Sequence, residues 1–416
     1  MYSEKLVVIT SFPQKGNIHD KKVVGIASYS KNTLLAIKQY KKALRITVIA
    51  EILNKKKEKY EDSGMKIKRV WKRNSFFSFF PLLKEVLVES RGTKNILIEF
   101  EVSMFGSTFY LLPFPFLLLI LRLCGKKITI VNHQVIQDIN ELSGHINLKG
   151  KILPFFLNFL IANFYRLMLL LSSKVVVFDE VLKTGLSAYG NKNKITVIPH
   201  GVENFSYISL TKEEAKQKLK IPADNFVILA FGFIAWYKGT DWLINEFKKM
   251  NSDNKIKLIV AGGPNPNHLD KKYYKDYLDK IKTDCKKYNI LLTGFVKEED
   301  ISLYFQACDV VVLPYRTLMS ASGPLSIALS FKKAFLVSDK LGGIFETEDI
   351  KQQLKSQSFD KNNLIFNFNG GFMEKVEYLE KNPDVIKRLE ELSEELAKLR
   401  AWDTIGVYYY EEIFKS

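Results

Sequence analysis

The sequence predicts two doubly wound α/β domains in tandem, facing each other across a cleft. Three observations carry this. Short, continuously apolar runs such as Val175-Val176-Val177 alternate with longer helical patterns from end to end, as in parallel sheets buried on both faces. The alternation breaks once, after Ile198-Pro199-His200-Gly201, where residues 210–220 are polar and lysine-rich, and restarts at Phe226. The 416 residues, 47% of them hydrophobic, are too many for one ordinary domain and enough for two cores.

In the first half the strand candidates are 5–10, 46–50, 66–70, 95–100, 127–131, 174–178 and 194–198. Helical patterns lie between them at 28–40, 107–122 and 152–171. In the second half the strand candidates are 226–231, 257–261, 290–293, 310–313 and 335–337, with a helix near 241–249. Helical patterns at 383–400 and 404–414 close the chain. The expected divisions are a first domain over 1–202, a second over 203–395, and a C-terminal helix over 396–416.

Composition excludes several function classes. The three cysteines, Cys124, Cys285 and Cys308, are scattered, which argues against a disulfide framework and a zinc site. The five histidines are scattered too, so no metal is expected. The net charge of +17 favours anionic partners: phosphorylated small molecules or an anionic lipid surface. A lysine-biased, solvated surface is the alternative. No nucleic-acid-binding signature accompanies the charge, so nucleic acid is not an expected partner. Residues 1–10 lack the apolar core of a signal peptide, which points to the cytoplasm. Two very apolar segments, 110–121 and 152–171, read either as core helices or as helices lying on a membrane; a span needs about 20 residues.

Ligands of open parallel sheets bind beyond the carboxyl ends of the strands, so candidate site residues are sought there. After the first strand of the second half comes Gly232, which permits a tight turn and a close ligand approach. Lys238 follows, beside a helix start, where it reads as a phosphate clamp or as a surface lysine. After 310–313 come Pro314, Tyr315 and Arg316, then Ser320, Ser322 and Gly323. Ser320 or Ser322 can cap a helix opening at Gly323, and free N–H groups there suit an anion. In the first half His133 closes a strand and should face the cleft, where it could bond a sugar hydroxyl or help proton transfer. Gly25 and Ser28 stand at the start of the first helix, without a G-x-G-x-x-G fingerprint, which disfavours a dinucleotide oxidoreductase.

Together these elements resemble retaining glycosyltransferase family four, whose members have the GT-B fold of two Rossmann-like domains. The residues that carry the resemblance are Ile198-Pro199-His200-Gly201-Val202, Gly232 through Lys238-Gly239, Ala261-Gly262-Gly263-Pro264, Gly294-Phe295-Val296, Cys308 through Tyr315, and Trp402 near the C-terminus. The chain departs from the family in having Phe233 where many members carry arginine. It also has no glutamate in 319–327, where many members carry E-P-F-G-x-x-x-x-E. It looks like a branch with a Ser-Gly turn at that point.

The resemblance implies transfer of a hexose, with retention, from a nucleotide-sugar donor to a glycan or lipid-linked acceptor, with no metal or other cofactor. Lys238, His133 and Arg316 would be catalytic. Gly232, Gly262, Phe295, Val296, Pro314, Tyr315, Ser320, Ser322 and Gly323 would bind the donor, and Gly25 and Ser28 would flank the acceptor loop. Competing implications are an inactive GT-B scaffold, prompted by the missing glutamates, and another nucleotide-sugar enzyme such as an epimerase.

Overall fold

Eight strands build the sheet of the first half: β1 (Lys5–Ile9), β2 (Arg45–Glu51), β3 (Glu58–Asp62), β4 (Met65–Trp71), β5 (Asn95–Phe100), β6 (Lys127–Asn132), β7 (Lys174–Val177) and β8 (Ile195–Val197). They run in the order β3-β4-β2-β1-β5-β6-β7-β8. Every neighbouring pair is parallel except the hairpin β3–β4. The second half holds β9 (Phe226–Phe231), β10 (Ile256–Ala261), β11 (Leu291–Leu292), β12 (Val310–Leu313), β13 (Ala334–Ser338) and β14 (Ile365–Phe366), all parallel, in the order β11-β10-β9-β12-β13-β14. This computed structural model describes residues 4–17, 26–54, 56–142, 152–203, 210–249, 255–265, 268–269, 271–318 and 320–415.

The strands form where apolar runs predict them, because both faces of each sheet are covered. Leu6 through Ile9, Val175 through Val177 and Val310 through Leu313 are buried throughout. Two strands escape the apolar criterion. The first, β3, is a polar edge strand, folded onto β4 by a turn at Ser63-Gly64 with φ of 52° and 71°. The second, β14, has only two residues.

One helical expectation is corrected, and one helix appears where the sequence marked only a break. The stretch 107–122 is not one helix. Pro113 separates a 3₁₀ turn, Thr108–Leu111, from the helix Phe114–Leu123. The lysine-rich break at 210–220 contains a helix, Lys212–Lys218, opened by a reciprocal capping box between Thr211 and Glu214.

The chain crosses between the two halves twice, at one place. Val202 donates its N–H to Arg400 O at 2.8 Å and pairs in a parallel bridge with Ala401. Gly201 lies against the Trp402 indole so closely that a methyl group there would enter the ring. The last helix, Trp402–Phe414, packs on the first, Ile26–Tyr40: Gly406 lets it rest on the backbone of Ala36, and the Tyr29 and Tyr409 hydroxyls meet at 2.8 Å. Ile405, Tyr409 and Ile413 thereby belong to the first core, while Leu389, Leu392 and Leu396 of Pro383–Leu399 belong to the second.

Candidate active site

Glycines bring the carboxyl-end loops of the second sheet together. Gly232, with φ of 111°, donates its N–H to Ala261 O at 3.0 Å. A methyl group on Gly262 would collide with the Gly232 carbonyl, and one on Gly263 would come within 2.9 Å of the Phe295 nitrogen. The loops after β9, β10 and β11 are therefore stacked backbone on backbone. Gly239, with φ of 69°, leaves room for the Pro314 carbonyl in the same way.

Lys238 ends the 3₁₀ turn Trp236–Lys238 and points back to that junction. A methyl group on Gly232 would lie 2.7 Å from Lys238 Nζ and 3.3 Å from Pro324. The ammonium sits 5.6 Å from the centre of the Tyr315 ring. Burial pushes its pKa down to about 8, with no carboxylate contributing. Tyr315 is buried, and its hydroxyl is 3.1 Å from Ser322 Oγ. Ser322 caps the helix Gly323–Ser330 by accepting from Leu325 N at 3.3 Å, and Pro324 occupies the first turn. Nothing beyond its own helix and chain neighbours lies within 4 Å of where a Gly323 side chain would begin. Lys238, Gly232, Tyr315, Ser322 and Gly323 thus border one recess that carries a half-buried cation and a helix N-terminus, an arrangement suited to an anion.

Arg316 lies beside this recess, but its guanidinium is engaged. It forms a bidentate pair with Asp241, both contacts at 2.8 Å, donates to Trp236 O at 2.5 Å, and lies 4.9 Å from the centre of the Trp236 ring. Its fork braces the turn that carries Lys238. Phe295 is 54% exposed beyond β11, and Val296 is half-buried against the second core. Pro314 is buried beneath Gly239.

The first domain meets this recess directly. Gln134 forms an antiparallel bridge with Ser320, so the residue after His133 touches the loop before Ser322. His133 is buried, with Nε2 2.7 Å from Glu99 Oε2. Burial raises the Glu99 carboxyl, although the bond to His133 draws it down. The other Glu99 oxygen is buried without a partner. Tyr29, Phe178 and His200 surround the same spot: ring centres lie 4.8 Å between Tyr29 and His133, 4.9 Å between His133 and Phe178, and 4.7 Å between Tyr29 and His200. His200 Nδ1 is 2.9 Å from the Ser326 hydroxyl on the helix Gly323–Ser330, and burial pushes its pKa down to about 4. Ser28 lies half-buried in the first turn of Ile26–Tyr40, whereas Gly25 lies outside the described residues.

Some cleft residues escaped the sequence reading. Burial, then the Glu101 carboxylate across the cleft, push the Tyr237 phenol up to about 12. The signal for Glu99 and Glu101 was present: two acids at the end of an otherwise apolar strand.

Residues 211–395 match the family described as Glycosyl transferases group 1. The chain is 27% identical over 226 residues to alpha-monoglucosyldiacylglycerol synthase of Acholeplasma laidlawii, covering 52% of this chain and 50% of that one. It spans about half the length, or less, of the curated relatives it matches. Among solved structures, sucrose-phosphate synthase of Thermosynechococcus elongatus superposes with a TM-score of 0.72 at 13% identity, covering 99% of both chains. The Anabaena protein HepE, in complex with UDP-glucose, gives a TM-score of 0.62 at 13% identity over 99% of this chain and 100% of its own. The two sheets, joined by a double crossing, give the chain the GT-B fold, and its residues 211–395 are similar to the Glycosyl transferases group 1 family.

Proposed function

We propose that the protein transfers a hexose from a nucleoside-diphosphate sugar to an acceptor hydroxyl, with retention at the anomeric carbon. The observation that carries this reading is the convergence of Lys238 with the capped N-terminus at Ser322-Gly323, over the glycine floor at Gly232 and Gly262. In such a transfer the bond from the anomeric carbon to the phosphate oxygen breaks, and negative charge grows on the departing diphosphate. A fixed ammonium and backbone N–H groups stabilise that charge most when already oriented. Arg316 serves by holding the Trp236–Lys238 turn through Asp241. Phe295 and Val296 lie where the nucleoside end would extend, and Ser320 and Tyr315 complete the donor wall.

His133 acts on the sugar side, with Glu99 orienting its ring. The helix Gly323–Ser330 carries no carboxylate, so the ribose is held by groups other than a glutamate of that helix. The division of labour we assign is acceptor binding over 1–202 and donor binding from 203 on, with the helix Trp402–Phe414 returning to the first domain within the expected segment 396–416. Ser28 flanks the acceptor loop.

The acceptor class we favour is a lipid or lipid-linked glycan, met at the cytoplasmic face of an anionic membrane. The Acholeplasma relative is named for a glucosylated diacylglycerol, and HepE was solved with UDP-glucose. The test is incubation with UDP-, GDP- and ADP-hexoses and vesicles containing diacylglycerol, with glycolipid and released nucleoside diphosphate both measured. Sugar transfer from one donor class supports the reading. Release of nucleoside diphosphate from none of them, with or without acceptor, rejects it in favour of an inactive scaffold.

A further inference from the structure

Three helices lie side by side on the first sheet: Phe79–Glu89, Phe114–Leu123 and Ile152–Leu171. Phe80, Phe109, Phe116, Phe155, Phe156 and Phe159, on these helices and the turn Thr108–Leu111, are each more than half exposed. Single exposed apolar residues are ordinary on a soluble surface; six grouped phenylalanines mark an interaction face. All six fall in the N-terminal half of a helix or in the turn before one. Each helix runs back against the strand it follows, so those halves lie toward the carboxyl edge of the sheet. That edge carries Glu101 and His133.

The longest helix is apolar enough to cross a bilayer: Leu153–Leu171 has a mean hydropathy of 1.5 and is only 22% buried. Its own anchoring argues otherwise. Tyr165, Met168 and Leu169 sit in the first core at 2% exposure or less, and the Tyr165 hydroxyl accepts the Ile136 N–H at 2.9 Å. One side is fixed in the domain while the other faces outward, as in a helix that lies on a surface.

We propose that this face docks the protein on an anionic lipid bilayer, with the six phenylalanines in the acyl boundary and the cleft edge turned toward the leaflet. The proposal rests on the lipid-acceptor reading above and gives it a surface: an acceptor could enter the cleft without leaving the membrane. Charge selects the occupant. Glu85 and Glu89 are ion-paired with Lys66 and Lys68. The other two helices carry no carboxylate, while Lys84, Arg122 and Arg166 are exposed. A symmetric contact with a second copy would set these cations against their equals, whereas an anionic leaflet complements both the apolar and the cationic parts. Lys149 and Lys151, expected to flank the third helix, lie outside the described residues.

The test is sedimentation with phosphatidylcholine vesicles, with and without phosphatidylglycerol, at low and high salt. It compares the wild type with the combined variant Phe116→Ser, Phe155→Ser, Phe156→Ser. The wild type should bind anionic vesicles at least tenfold more strongly than the variant. Salt should weaken its binding without abolishing it, because apolar insertion is not screened. A separate variant, Phe155→Trp, should shift its tryptophan emission to shorter wavelength on vesicle addition. Equal sedimentation of wild type and combined variant overturns the proposal, as does an unshifted emission. A concentration-dependent dimer that the combined variant dissolves also overturns it. UDP-induced thermal stabilisation, read in the other domain, separates the two claims: its absence from both proteins would reject the donor site and leave the vesicle result standing.

Discussion

Gln134 of the first domain and Ser320 of the second pair as an antiparallel β-bridge across the cleft. That contact sets the end of β6, with His133, against the loop that caps the helix Gly323–Ser330. It puts the histidine and the anion recess on the two walls of one site, and the following expectations start from that geometry.

Lys238→Ala should lower turnover by about a hundredfold or more, as loss of one preoriented charge partner does. The pH dependence follows from the depressed pKa. Above about 8 the ammonium loses its proton, so affinity for a nucleoside diphosphate should fall as pH rises through that value. Lys238→Arg, whose guanidinium stays charged, should lack this decline even with weaker binding overall. Calorimetric titration with UDP from pH 7 to 9.5 measures both; a flat wild-type profile would remove Lys238 from the diphosphate contact.

His133→Ala should cost less, about tenfold to a hundredfold in turnover, with the UDP affinity retained. Glu99→Gln keeps the shape but removes the carboxylate that orients the ring. It should lower turnover in the same direction and shift the pH–rate profile. Loss of UDP affinity in either variant would place His133 on the leaving group.

Arg316→Ala should act first on stability. It breaks a bidentate pair that is mostly shielded from water, at about 1–2 kcal/mol after allowance for screening. Denaturant unfolding reads this, and Asp241→Ala should match it, with the double variant little worse than either single one. Additive losses would show that the two side chains contribute independently and would reject the pair as the brace.

His200 makes stability depend on pH below neutrality. In the unfolded chain it takes a proton near 6.5, while the buried folded form resists protonation until about 4. Stability is therefore full above 6.5 and declines as pH falls toward 4, by up to about 1.4 kcal/mol per pH unit. Asp179, raised to about 6 by burial, works in the opposite direction over the same range and masks part of the effect. The comparison that isolates His200 is wild type against His200→Asn, which share Asp179. The wild type should lose more stability between pH 7 and 5, and equal losses would count against the assignment.

The parallel strands were legible because burial on both faces writes itself as unbroken apolar runs, as in Val310 through Leu313. The polar edge strand β3 and the capped helix Lys212–Lys218 were not, since turn and cap geometry hold them rather than apolar burial. The glycines at 232, 239 and 262 stood out in the motifs, and the structure gives Gly239 and Gly262 a backbone carbonyl that a side chain would strike, and Gly232 the Lys238 ammonium. The bracing contact of Arg316 was not legible because its partner, Asp241, lies 75 residues away in the chain. An arginine near an anion recess looks the same in sequence whether it faces the ligand or braces the turn beneath it.

The central claim is a diphosphate site built on Lys238 and the helix N-terminus at Ser322-Gly323. Thermal unfolding with UDP, GDP and ADP, on the wild type and on Lys238→Ala, tests it most directly, since a ligand held by the native state raises its melting temperature. The account predicts that at least one of the three raises the wild-type melting temperature by several degrees and leaves the variant nearly unmoved. No shift with any of them, or an equal shift in both proteins, would contradict it.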